Sequence, residues 1–194
     1  MRQLAALVMI LALTACAAKG PEAGSETQIA ALAQNLRQMS PDVDPQEAAR
    51  AARISYQTAF ALAQTYQITD HPLIHNSKVN AGTKPRGLCY HWAEDMQARL
   101  LREGFKTLDV TRAIANAHSR ILIDHSTAVL IPKGAAMTDG VVIDPWRGGG
   151  RLFWAPVKDD QRYDWLPRAQ VLRELGRIHY IQRTDGSLAP PPVD

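Results

Sequence analysis

The chain has 194 residues, 46% of them hydrophobic and 21% charged, with a net charge of +3 and two cysteines. That length suits one domain with a core large enough to need no disulfides. No long basic run is present, so nucleic acid is not an expected partner.

Arg2 is followed by an apolar stretch over residues 4–13. It is too short to span a bilayer, which takes about 20 residues, and it suits the h-region of a signal peptide. The segment ends in Leu13-Thr14-Ala15-Cys16, which resembles the lipobox of bacterial lipoproteins. The resemblance implies a signal over residues 1–16, lipidation of Cys16 and anchorage in the cell envelope. Ala17 stands where an aspartate would imply inner-membrane retention, so the outer membrane, facing the periplasm, is the expected address. An ordinary secretory signal cleaved near Ala15 to Ala18 is the alternative. An acylated Cys16 would leave Cys89 with no disulfide partner in the chain. A lone thiol in an oxidising compartment is either used or well buried.

Residues 17–40 are small and polar at their start and read as a tether, with a short helix over 29–39. Asp44-Pro45-Gln46-Glu47 is a helix start: a cap, a proline in the first turn and an acid three residues after the cap. Ala48, Ala52, Tyr56, Ala59, Ala63 and Tyr66 recur at helical spacing and predict a core-facing stripe to about residue 68. Residues 71–86 carry Pro72, Asn76, Asn80, Gly82 and Pro85 and read as a loop. A second helix starts at or just before Cys89, with Cys89, Trp92, Ala93, Met96 and Leu100 on one face, and ends at Gly104. Strands are predicted over 108–114, 120–131, 141–144 and 152–157, then a helix over 168–175 and a strand over 178–182. Helices followed by an antiparallel sheet make an α+β domain over residues 41–187. A Pro-rich tail, 188–194, follows.

Cys89, His125 and Asp144 supply the parts of a nucleophilic triad: a thiol, a base to ionise it and an acid to orient the base. Cys89 falls in the first turn of its helix, where the dipole and free N–H groups favour a thiolate. His125 shares strand parity with Thr127, Val129 and Ile131, so it is expected to face the helix that carries Cys89. Asp144 lies on the next strand. The Cys89 backbone N–H is one oxyanion donor, and Asn80 and Asn76 are candidates for the second. His91 falls off the thiol's face of the helix, so no Cys-x-His metal pair is expected. His118 is the rival base. Trp146, Trp154 and Trp165 either line a groove or pack in the core. Arg147-Gly148-Gly149-Gly150 reads as a flexible loop that could cover the site. No metal or cofactor is expected, and no acidic cluster has calcium-loop spacing.

Gly87-x-Cys89-x-x-Trp92-Ala93, the histidine strand and the Asp144-Pro145 strand ending together resemble the transglutaminase-like, papain-like cysteine enzymes. The resemblance covers roughly residues 85–147. It implies a papain-like core with the nucleophile helix packed on the sheet. It also implies a Cys89-His125-Asp144 triad that acts on peptide or protein amides through a thioester, as a hydrolase or an acyl transferase. Cell-wall peptides or an envelope protein are the expected substrates, and a monomer is expected. His125 is followed by Ser126-Thr127-Ala128, where many members have Ala-Trp, a departure that bears on the substrate groove. The alternatives are an inactive module of the same fold that binds an envelope peptide or protein, and a purely structural lipoprotein.

Overall fold

The computed structural model describes residues 20–177 and the backbone of 181–182 and 188–189. The signal segment, Cys16 and the Pro190-Pro191-Pro192 run lie outside those residues. Helices come first and the sheet follows, so the fold is α+β.

Helix α1, Glu26–Gln38, opens on a capping box. Ser25 Oγ accepts from Gln28 N at 3.2 Å, and Gln28 Oε1 accepts from Ser25 N at 2.8 Å. Its buried Ile29, Leu32 and Leu36 join the main core, so this part of the expected tether belongs to the folded domain. Helix α2, Pro45–Thr65, starts where predicted, with Asp44 Oδ1 accepting from Gln46 N and Glu47 N. The stripe from Ala48 to Tyr66 is buried throughout. Glu47, inside the first turn, accepts from the backbone of Lys106 and Thr107 at 2.8 Å each, which ties the helix start to the entry of the sheet.

Residues 71–86 are not all loop. Pro72–Asn80 forms helix α3, capped by His71. Leu73 and Ile74 stay exposed, so the helix has no apolar stripe to announce it. Helix α4, Cys89–Leu101, buries Cys89, Trp92, Ala93, Met96 and Leu100, as the spacing predicts.

The strands are β1 (Leu108–Ala115), β2 (His125–Pro132), β3 (Val141–Gly148), β4 (Arg151–Pro156) and β5 (Leu166–Pro167), followed by helix α5, Arg168–Glu174. They form one antiparallel sheet in the order β4-β3-β2-β1-β5. Ile181–Gln182 and Leu188–Ala189 pair as a separate two-stranded unit, β6 and β7, so the expected tail begins with strand.

Two strand limits near the site differ from those expected. Residues 120–124 are loop rather than strand: Ser119 Oγ accepts from Ile121 N at 3.2 Å and from Leu122 N at 2.9 Å, which curls the chain before His125. Conversely, β3 runs on through Arg147. Gly149 and Gly150, with φ of +60° and +94°, close a tight β3–β4 turn between the paired residues Gly148 and Arg151. The glycine run is the turn of a hairpin.

The two sheet faces have different cores. Ala128, Leu130, Val141 and Ile143 pack with Met96 and Leu100 beneath the helices. Val129, Ile131 and Val142 face the opposite way, with Met137, Val157 and Trp165.

Candidate active site

His125 and Asp144 have the parity of Val129 and Val142 and belong to the face away from the helices. The expected shared face with the Cys89 helix is therefore corrected. Because His125 is the first residue of β2, the thiol reaches it at the sheet's end rather than across its face. Cys89 Sγ donates to the Asp124 carbonyl at 3.5 Å, one residue before the histidine.

The turn before α4 is built tightly. Gly87 has φ +127°, and a Cβ there would lie 2.4 Å from His75 Nε2. His75 Nε2 bonds to Arg86 O at 2.8 Å, and Trp92 Nε1 donates to Gly87 O at 3.0 Å. His91 Nδ1 accepts from Gly87 N at 3.2 Å and from Leu88 N at 3.3 Å. It therefore carries its proton on Nε2, and burial and the Arg86 charge hold it below the ordinary histidine range. His91 caps α4, a role its off-face position does not reveal. Gly87→Ala is expected to destabilise the domain by about 1–3 kcal/mol, through strain at positive φ and the clash with His75. Urea denaturation measures it; an unchanged midpoint would mean that the turn relaxes freely.

His125 Nε2 is 2.7 Å from Asp144 Oδ2, and both side chains are buried. The other ring nitrogen, Nδ1, is buried without a hydrogen-bond partner. Burial works against a charged ring, but the Asp144 charge and hydrogen bond, helped by the Cys89 thiol, outweigh it and push His125 up to about 9. Asp144 is correspondingly held below the usual carboxylate range: burial opposes this, and His125 and Arg147 overcome it.

That shift carries a pH signature. His125 binds its proton more tightly folded than unfolded, where the value is about 6.5. The stabilisation is full below about 6.5 and is lost as pH rises through about 9. Tm should fall across that window, and the fall should flatten in Asp144→Asn. A wild-type Tm that is level across the window would contradict the ion pair.

Behind Asp144 lies a relay absent from the expected site. Arg147 donates from N to Asp144 Oδ1 and from Nε to Asp144 Oδ2, each at 3.1 Å. Its terminal nitrogens grip Asp160 at 3.1 and 2.6 Å, and Asp160 also accepts from Trp165 Nε1 at 2.9 Å. The guanidinium stacks on Phe153 and Tyr163. The His125 ring is packed among Trp146, Tyr163 and Trp165, with centroids 4.6, 4.7 and 5.3 Å away.

The remaining candidates divide. Asn76 Oδ1 accepts from Trp146 Nε1 at 3.1 Å, which puts Asn76 one contact from His125. Asn80 is exposed at the end of α3. His118 pairs with Glu174 at 2.9 Å. Trp146 lines the groove at the site, Trp165 is buried, and Trp154 donates to Tyr56 Oη at 3.0 Å.

Comparison with family models, curated proteins and solved structures finds no match. A thiol at a helix start, an imidazole held by a buried carboxylate and free N–H groups in the helix's first turn can together perform acyl transfer to sulfur. Among the described residues, no helix is long and apolar enough to cross a membrane.

Proposed function

We propose that the domain is a papain-like, transglutaminase-like cysteine enzyme that cleaves or transfers peptide amides, carried on a lipid anchor at Cys16 and facing the periplasm. The observation that supports it most is the buried His125–Asp144 pair at 2.7 Å beside the segment that touches Cys89. With His125 charged, the Cys89 thiol loses its proton to solvent and the sulfur attacks the substrate carbonyl as a thiolate paired with the imidazolium. The Cys89 N–H, in the first turn and without an intrahelical partner, donates to the oxyanion, and the Trp146 contact favours Asn76 over Asn80 as the second donor. His125 then protonates the leaving amine, and a thioester remains. Water or a second amine, deprotonated by His125, attacks it and releases an acid or a new amide. Asp144 keeps its hold on Nε2 throughout.

The test is the rate of Cys89 labelling by iodoacetamide at pH 6, read by intact mass. Labelling at least tenfold faster than that of a free cysteine peptide supports an activated nucleophile. A rate equal to or below the peptide's would reject an activated nucleophile and favour the inactive peptide-binding module.

A further inference from the structure

The loop that enters β2 is out of keeping with the rest of the surface. Ile121, Leu122 and Ile123 are 92%, 59% and 65% exposed. Three consecutive aliphatic side chains in solvent are costly and mark a surface that meets something. The loop is nonetheless pinned. Besides the two bonds to Ser119 Oγ, Asn116 Nδ2 donates to Ile123 O at 3.2 Å, and Asn116 itself sits at φ +64°. The loop therefore presents its side chains from a held backbone. They do not stand on a flat face: with Leu73 from the start of α3, and with Trp146 and Tyr163, they wall a groove of about 400 Å³. The same groove reaches Asp124 and His125, and the Asp124 carbonyl is the group that Cys89 Sγ touches. Its rim carries Arg162, which is exposed, lies 5.5 Å over the Tyr163 ring and pairs with no carboxylate among the described residues. Arg147, the other guanidinium there, is already committed to Asp144 and Asp160.

We infer that this groove selects peptide substrates that carry an aliphatic side chain beside a carboxylate. The aliphatic group lies against Ile121–Ile123 and Leu73, and the carboxylate meets Arg162. This inference rests on the acyl-transfer reading of Cys89 and deepens it. A carboxylate is the partner for Arg162, the rim guanidinium with no acid paired to it; the groove's other unpaired charge among the described residues, the exposed Asp124 carboxylate, stands next to His125. A seated peptide would cover the exposed aliphatic groups only where the sulfur can reach its carbonyl. Lipid would cover them without need of a groove that leads to His125.

The experiment compares three thiol-directed peptidyl vinyl sulfones on the protein lacking residues 1–16. One has a succinyl cap and leucine, the second has serine for leucine, and the third has an acetyl cap for succinyl. Each labelling rate at Cys89 is divided by that of iodoacetamide, which needs no groove. The leucine probe should label at least tenfold faster than the serine probe, and Ile121→Ser/Ile123→Ser should bring that ratio towards one. The succinyl probe should outpace the acetyl probe several-fold, and Arg162→Ala should erase that difference. Ratios of one in the wild type, with fast iodoacetamide labelling, would overturn the groove's selectivity and leave the enzyme reading standing. Slow iodoacetamide labelling would remove the reading and the inference with it. Ratios of one, with sedimentation on phosphatidylglycerol vesicles that is lost in Ile121→Ser/Ile123→Ser, would overturn the inference in favour of a lipid contact.

Discussion

Arg147→Ala is expected to destabilise the domain by about 3–5 kcal/mol, because it takes a shared cation from two buried carboxylates at once and leaves Asp160 with no charged partner among the described residues. Asp144 and Asp160 have nearly inaccessible side chains, and both lean on this guanidinium. Burial works against its charge, but the two acids hold it above the ordinary arginine value. Arg147→Lys keeps a charge but cannot reach two acids in a fork or stack between Phe153 and Tyr163, so it should recover only part of the loss. Arg147→Ala/Asp160→Asn should recover part by a different route, removing one stranded charge. Urea unfolding of the three variants measures this ladder. A loss under about 1 kcal/mol in Arg147→Ala would mean that water reaches the acids and that the relay is not a supporting structure. The variant should also weaken the site: with Arg147 gone, Asp144 loses one of the charges that keep it ionised, and its grip on His125 slackens.

The parts of the site that obey local rules were legible in the chain. Asp44-Pro45 specified the start of α2 because a cap and a first-turn proline act within four residues. The Cys89 face of α4 followed from spacing alone, since Trp92, Met96 and Leu100 repeat on one side of any helix. The parts set by long-range contact were not legible. Ile121-Leu122-Ile123 has the composition of a strand, and it is the Ser119 hydroxyl, bonding two backbone N–H groups, with the Asn116 amide on the Ile123 carbonyl, that holds it as a loop. Parity correctly grouped His125 with Val129 but could not say which sheet face the helix covers. That is decided by Ala128 and Leu130 packing on Met96 and Leu100. Arg147 looked like part of a mobile run because three glycines follow it. Its partner Asp160 lies beyond a hairpin, and no spacing rule links the two. The compositional hint was an arginine two residues after Asp144-Pro145, too general to single out.

His125→Ala tests whether these parts act as one machine, and its two readouts should differ in size for a physical reason. An ordinary thiol with a value of about 8.5 is roughly 0.3% thiolate at pH 6. Losing the imidazole would therefore cost up to about 300-fold if only thiolate population mattered. A more basic thiolate is also the better nucleophile, rising by about half a log unit per unit of basicity, which returns much of that loss. Alkylation at pH 6 should thus fall only about 10–30-fold. Turnover of an amide should fall further, by about 10²–10⁴, because His125 must also protonate the leaving amine and activate the incoming nucleophile, which alkylation never asks of it. Asp144→Asn should sit between wild type and His125→Ala in both assays, since it leaves the ring in place without the charge that raises it. Equal losses in alkylation and turnover would confine His125 to ionising the thiol and remove it from the later proton transfers. No loss in either would leave the buried pair as a strut of the sheet, and Cys89 as a thiol that happens to lie beside it.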